Sequence, residues 1–384
     1  MMVTDHTTRF PLRVMMLGLR GFPGVQGGVE KHAEHICPLL VELGCSVCVI
    51  TRSPYQAHAI GESWKGVQFQ SLWAPHLKGL EAIMHTLFGV LYAGLVRRPD
   101  ILHIQAIGPA IMTPLARLFG LNVVVTHHGP DYDRQKWGFF AKLVLRIGEY
   151  FGMRCANERI AISKVIQSIV RDKHDQDSVL IPNGVTLPEL LSTTKGPLLF
   201  NLTPGKYIVL VSRLVPEKRH MDLIEAFRRA NLAGWKLAIV GSADHPDAYT
   251  RQVFEAAEKT PGVVCTGFQS GRELCELYTH AGLFVLPSSH EGLPIAMLEA
   301  LSYGLPVVAS DIPANLEVGL PVEHYFPLGN VDILVEKLSE FTLYPLTSEA
   351  REIRRAWVSR RFNWRDITRQ TLAVYQAAVS VKIR

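Results

Sequence analysis

No stretch of the 384 residues reaches about 18 consecutive apolar residues without a charge, the length a bilayer-spanning helix needs. Met1 to Arg13 is polar and has no apolar centre, so no secretory signal is expected. Cysteine is scarce. The six, at 37, 45, 48, 155, 265 and 275, mostly sit inside apolar segments, as in a chain kept in a reducing compartment. Cys45 and Cys48 have CxxC spacing but run into the β-prone Val47–Ile50, and no second pair follows, so a metal site is not expected. The chain contains no GxxxxGK[ST], which excludes a P-loop. It also lacks the interleaved aromatic and basic run on which single-stranded nucleic acid stacks.

What is present is an alternation. The length suits two domains with a core each. Apolar β-prone runs at Arg13–Gly18, Ser46–Thr51, Ile101–Gln105, Val123–Thr126, Arg159–Ile162 and Val179–Ile181 read as strands. A helix spans Val29 to about Leu43. Periodicity then lapses, and residues 191–205 read as a linker. Alternation resumes with strands at Tyr207–Val211, Lys236–Val240, Val263–Thr266, Leu283–Leu286 and Pro306–Ala309. Between them run helices at Met221–Asn231, Tyr249–Lys259, Arg272–Ala281 and Pro294–Tyr303. This is the pattern of doubly wound α/β domains with parallel sheets, whose ligands bind beyond the strand carboxyl ends. The expected layout is 1–190, linker 191–205, 206–360, and a last segment 361–384. Ala82–Val96 is the most apolar stretch and reads as a covering helix, with an interfacial one as the rival. Residues 1–195 carry 20 Lys/Arg against 15 Asp/Glu, and 351–384 carry nine against two. That surplus suits an anionic partner such as a lipid headgroup or a diphosphate rather than nucleic acid.

Four loops carry the polar chemistry. Gly18 to Glu30 is a glycine-rich turn between a strand and a helix, suited to phosphate. Arg52 stands where a dinucleotide fold would place a ribose-binding acid, which argues against a dehydrogenase. Thr126-His127-His128-Gly129-Pro130-Asp131 puts two histidines and an acid at a strand's end, either structural or catalytic on this evidence. Arg213 and Lys218 in Ser212–Arg219 can hold a diphosphate without a metal. Glu291 and Glu299 flank the start of a helix with Pro294 at its first position. A carboxylate accepts both hydroxyls of a vicinal diol, and the N–H groups of Gly292, Leu293 and Ile295 favour an anion. Taken singly, each could be an ordinary solvated loop.

In combination, GGVE (Gly27–Glu30), THHGPD with His128, SRLVPEKR with Arg213 and Lys218, Asn183-Gly184, and the E-x7-E of Glu291 and Glu299 resemble retaining glycosyltransferases of family 4. The resemblance covers nearly the whole chain and implies the GT-B fold, two Rossmann-like domains facing across a cleft. GLRGFPGVQGGVE and Gln135–Gly138 look closer to bacterial transferases of exopolysaccharide or O-antigen assembly. The resemblance implies that Arg213 and Lys218 clamp the donor diphosphate and that Glu299 holds the ribose. Glu291 with Gly292, Leu293, Pro294 and Ile295 would hold the transferred sugar, Gly27 and Gly28 would approach the diphosphate or acceptor, and Gly241, Gly267 and Phe268 would line the base pocket. His128 would contact the donor sugar near its reacting carbon, and Asp131 the acceptor. It implies no metal, and a C-terminal helix crossing back from Arg361. The donor is a nucleoside-diphosphate hexose, UDP or GDP, and the acceptor a saccharide or polyprenyl-diphosphate-linked saccharide. The expected setting is the cytoplasm, peripheral to an anionic membrane, with Trp64, Trp73, His76 and Lys78 near the membrane. An epimerase or phosphorylase of the same fold, and a non-catalytic nucleotide-sugar-binding partner, are the alternatives.

Overall fold

A computed structural model of the chain describes residues 11–25, 27–53, 63–74, 80–133, 138–243 and 246–380. It divides into two compact units. Of the described residues, unit 1 holds those up to 133, those from 138 to 183 and those from 364 on, and unit 2 holds those from 184 to 363.

Unit 1 runs β1 (Arg13–Leu17), α1 (Gly28–Glu42), β2 (Ser46–Arg52), β3 (Ser63–Trp64), β4 (Val67–Leu72), α2 (Leu80–Tyr92), β5 (Ile101–Gln105), α3 (Thr113–Leu118), β6 (Val123–His127), α4 (Phe139–Cys155), β7 (Glu158–Ala161), α5 (Lys164–His174) and β8 (Val179–Leu180). Its sheet has the order β3-β4-β2-β1-β5-β6-β7-β8. All neighbours are parallel except β3 and β4. Central strands are apolar runs rather than alternations because helices cover both faces, and β5 and β6 are buried at every position. The order reverses at β1, which pairs with β2 on one side and β5 on the other.

Unit 2 runs α6 (Lys195–Leu199), β9 (Tyr207–Val211), α7 (His220–Ala230), β10 (Lys236–Val240), α8 (Ala248–Lys259), β11 (Val263–Gly267), α9 (Gly271–His280), β12 (Leu283–Leu286), α10 (Ile295–Ser302), β13 (Val307–Ser310), α11 (Pro313–Leu316), β14 (Tyr325–Phe326), α12 (Val331–Thr342) and α13 (Ser348–Arg361). Its sheet has the order β11-β10-β9-β12-β13-β14, all parallel, and reverses at β9. The last helix, α14 (Trp364–Ser380), belongs to unit 1, where Trp364, Ile367, Val374 and Tyr375 share an apolar cluster with Ile36 and Leu40 of α1.

Several boundaries differ from the sequence reading. The chain leaves unit 1 at Asn183–Gly184, not after 190, and returns at Trp364 rather than 361. Residues 191–205 lie in unit 2 and carry α6, because Thr193 Oγ1 and the Gly196 N–H both donate to the buried Glu276 carboxylate at 2.5 Å. Pro294 is the N-cap of α10 and not its first residue: at φ −75°, ψ 96° it stays extended, and its carbonyl accepts from the N–H of Met297 and Leu298. The apolar segment Ala82–Val96 is α2 and a following turn, fitted to the sheet at Gly89, where a Cβ would come within 2.3 Å of Leu17. Among the described residues no helix is long and apolar enough to cross a membrane.

Candidate functional site

In an open parallel sheet, the loops diverge at the strand where the order reverses and leave a crevice at the carboxyl edge. For unit 2 these are the loops after β9 and β12, and they carry the expected cation and acid. Pro216–Lys218 forms one 3-10 turn, and Arg219 in the left-handed region (φ 51°) turns the chain into α7. Lys218 Nζ donates to Glu291 Oε1 at 2.5 Å, with the two side chains 17% and 11% exposed. The backbones are joined too: the Ser289 N–H donates to the Glu217 carbonyl at 2.8 Å, and Ser310 Oγ donates to the Ser288 carbonyl at 2.5 Å. An ammonium has three donors, so with one on Glu291 Lys218 keeps two for an incoming anion.

Gly292 and Leu293 lead into α10, whose first-turn N–H groups and dipole add a positive end at the same loop. Arg213 is half-buried in the loop after β9, where the Leu214 N–H donates to the Ser242 carbonyl at 3.0 Å. Glu299, one turn into α10, accepts from Tyr278 Oη at 3.3 Å, and burial followed by that carboxylate pushes the Tyr278 phenol far up. Gly241 follows β10 and Gly267 ends the neighbouring β11, the Gly241 N–H donating to the Gly267 carbonyl at 2.8 Å, and Phe268 beyond them is 42% exposed. Beneath the site His220 Nε2 meets Ser212 Oγ at 2.9 Å, and burial lowers this histidine to about 3. A separate cavity of about 350 Å³, bounded by Leu191, His280 and Arg351 among others, includes none of these residues.

Unit 1 reverses between β1 and β5, and the loop after β1 begins at Gly18 (φ 101°), where a Cβ would lie 2.4 Å from the Gln105 carbonyl. Gly27 caps α1 against the buried Arg20–Glu30 ion pair, and a Cβ there would meet Glu30 Oε2 at 2.1 Å. Gly28 is exposed at the first position of α1. Packing on Glu30 thus gives Gly27 a reason beyond phosphate approach.

The two histidines after β6 face different partners. His127 accepts from the Gly129 N–H at Nδ1 (3.1 Å), so its Nε2–H donates to Glu149 at 2.9 Å; Tyr132 Oη donates to the same carboxylate at 3.0 Å. Burial would raise the Glu149 carboxyl, but hydrogen bonds from His127, supported by His174 and Tyr132, outweigh it and hold the group well below the usual range. His128 Nε2–H donates to Gln105 Oε1 at 2.7 Å, which leaves Nδ1 as the acceptor. Burial first, then His32, His103 and His127, pushes His128 well below its ordinary value, so it stays neutral. Behind it His103 bonds Tyr375 Oη and Thr126 Oγ1, both at 2.7 Å, and His32 Nδ1–H donates to Asn183 at 3.0 Å. Asp131 is half-buried in a 3-10 turn, its N–H on the Gly129 carbonyl.

Three residues were missed by the sequence reading. Gln105, in an apolar strand, gives no signal that it sets a histidine's tautomer. Glu149 sits on a helix, where acids are usually solvated. Glu217 is 3% exposed, and neither carboxylate oxygen has a hydrogen-bond partner among the described residues, although its carbonyl ties the two loops. Gln26, His76, Lys78 and Gln135–Trp137 lie outside the described residues.

Two doubly wound parallel sheets with polar loops at their switch points define a GT-B protein. HepE of Anabaena, solved in complex with UDP and glucose, has the same fold at a TM-score of 0.77, with 16% identity over 95% of this chain and 100% of that one. Residues 26–188 match the family described as Glycosyltransferase Family 4, and residues 200–354 match Glycosyl transferases group 1; the chain belongs to the family-4 glycosyltransferases. Similar curated proteins include the putative teichuronic acid biosynthesis glycosyltransferase TuaC of Bacillus subtilis, 26% identical over 65% of this chain and 61% of that protein. Another is the Escherichia coli UDP-Gal:alpha-D-GlcNAc-diphosphoundecaprenol alpha-1,3-galactosyltransferase, 28% identical over 56% and 59%. The chain thus spans less than two thirds of the length of these relatives.

Proposed function

We propose that the protein transfers a hexose, with retention, from a UDP-sugar to a lipid-linked saccharide in the assembly of a cell-surface polysaccharide. The observation that carries this reading is the Lys218–Glu291 pair at the switch point of unit 2, beside the start of α10. A UDP-linked donor, and a diphosphate-linked acceptor, follow the UDP bound to HepE and the substrates for which the galactosyltransferase is named. Six unpaired cysteines suit a reducing cytoplasm.

In this reading Arg213, the remaining donors of Lys218 and the N-terminus of α10 take the diphosphate, and their positive charge stabilises it as it leaves. Glu291 is fixed by Lys218 to accept from hydroxyls of the transferred sugar, and Glu299, ordered by Tyr278, accepts from the ribose diol. Gly241, Gly267 and Phe268 border the base. His128, neutral and with Nδ1 unprotonated, accepts a hydroxyl proton in a hydrogen bond and does not serve as a cationic acid; Gly27, Gly28 and Asp131 belong with the diphosphate and acceptor. The acceptor hydroxyl attacks from the face the diphosphate leaves and gives its proton to the departing phosphate. The protein contributes mainly positioning and charge stabilisation.

The deciding experiment measures transfer from UDP-hexoses to a polyprenyl-diphosphate saccharide by wild type, Lys218→Ala and Glu291→Ala. Turnover should fall about 100-fold or more in both variants, as for loss of a transition-state charge partner. Nucleoside diphosphate should raise the wild-type Tm but not that of Lys218→Ala. Unchanged transfer in both variants would overturn the assignment.

A further inference from the structure

Helix α4 has two faces with different jobs. Its inner face is fixed at backbone distance: a Cβ at Gly148 would lie 2.2 Å from the Ile107 carbonyl, and one at Gly152 2.6 Å from Ala110 Cβ. The same face carries Glu149, bound to His127 and Tyr132. The outer face carries Phe139, Phe140, Leu143, Ile147 and Tyr150, exposed by 77, 81, 46, 37 and 48%. Spacings of four, four and three from Phe139 place four of them in one row, and Phe140 widens it. Single exposed apolar residues are ordinary, but a continuous row on a rigidly held helix marks a contact surface.

Charge decides the occupant. The basic residues of α4 are Lys142, Arg146 and Arg154, the two arginines exposed, and its single acid, Glu149, is buried. Arg154 lies over the Tyr150 ring at 5.3 Å and Arg146 over the Tyr132 ring at 5.4 Å, so their heads sit at the margins of the apolar row. A second copy of this helix would set these cations against their own equivalents. An anionic lipid surface takes both the apolar row, below its headgroups, and the cations, among them.

We propose that α4 docks unit 1 on an anionic phospholipid membrane, with Phe139, Phe140, Leu143, Ile147 and Tyr150 entering the interface and Lys142, Arg146 and Arg154 meeting the headgroups. This surface goes beyond the transfer reaction and does not depend on it. Because Glu149 ties the helix to His127 and Tyr132, docking also holds the loop with His128 and Asp131 at a fixed place relative to the lipid.

The test is co-sedimentation of the full chain with phosphatidylglycerol/phosphatidylethanolamine vesicles and with phosphatidylcholine vesicles. Wild type should bind the anionic vesicles, less so at high salt, and bind phosphatidylcholine weakly. Phe140→Glu/Leu143→Glu should lower the bound fraction about tenfold, and Arg146→Glu/Arg154→Glu should weaken binding to anionic vesicles only. An unchanged melting temperature in the first pair shows that the fold survives. Leu95→Glu/Val96→Glu, at the exposed end of the turn after α2 (62 and 65%), should bind as wild type does. The proposal is overturned by a wild type that ignores anionic vesicles, or by Phe140→Glu/Leu143→Glu binding normally. It is equally overturned if Leu95→Glu/Val96→Glu abolishes binding while the α4 variants retain it, or if the α4 substitutions split a stable dimer without altering vesicle binding. Vesicle binding needs no donor sugar, so failure of the transfer assignment leaves this result intact.

Discussion

Lys218 and Glu291 illustrate how a single ion pair ties two loops together. Both are mostly buried, so the attraction is less screened than at a surface, and each fixes a side chain that would otherwise sample many rotamers. Gly18 is a residue whose need is purely steric. At φ 101° and with the Gln105 carbonyl 2.4 Å from a built Cβ, Gly18→Ala should cost about 2–4 kcal/mol, as for a strained backbone plus a displaced strand. Urea melts of the two proteins measure it; equal midpoints would contradict the steric account. Gln105→Leu should free neutral His128 to carry its proton on Nδ1 instead of Nε2, lowering turnover and altering its pH dependence. A pH–rate profile identical to wild type would dismiss this role for Gln105.

At the scale of elements, the strongest sequence signals were those with long, single-environment runs. The central strands β1, β5, β6, β9 and β12 read directly because buried parallel strands are mostly apolar. The β3–β4 hairpin escaped because two strand residues are too few for a pattern, and its turn is Lys65-Gly66, both at positive φ, without the usual Asn. Helices α12 and α13 were legible in principle: Asn330 caps the Ile333 N–H and Thr347 the Ala350 N–H. Asn330→Ala should therefore cost about 1 kcal/mol. Helix α14 matters more, since Trp364 is 3% exposed and packs on His32 and His35 of α1. Trp364→Ala should destabilise unit 1 by about 3–5 kcal/mol, read as an earlier thermal transition with nucleoside-diphosphate binding by unit 2 preserved. A single unshifted transition would deny the helix this role.

At the scale of the whole molecule, buried neutral histidines set the response to acid. His32 is held to about 4 by burial, against its hydrogen bond with Asn183, and His103 to about 3 by burial and then His32. Their folded values lie below the ordinary value near 6.5, so the unfolded chain binds more protons between the two. Their contribution is complete above about 6.5 and is lost as pH falls toward about 4. Each such group adds a slope of about 1.4 kcal/mol per pH unit in that window. Glu149, held low, adds to the loss only at more acidic pH. Melting temperature should therefore drop steadily from pH 6.5 to 5 and be level from 7 to 8; a flat profile through pH 5 would refute the accounting.

The sequence by itself determined the α/β alternation, the two-sheet architecture and the residue types at the strand ends, because those follow from local patterns of apolar run, turn and helix cap. It also supplied the motif set of the family. Only the tertiary structure decided that the loops after β9 and β12 meet, since strand order is a long-range pairing that no local pattern encodes. The same holds for the pairing of Lys218 with Glu291, for Gln105 behind His128 and for Glu149 behind His127. Each joins residues at least 22 positions apart whose contact depends on which strands become neighbours.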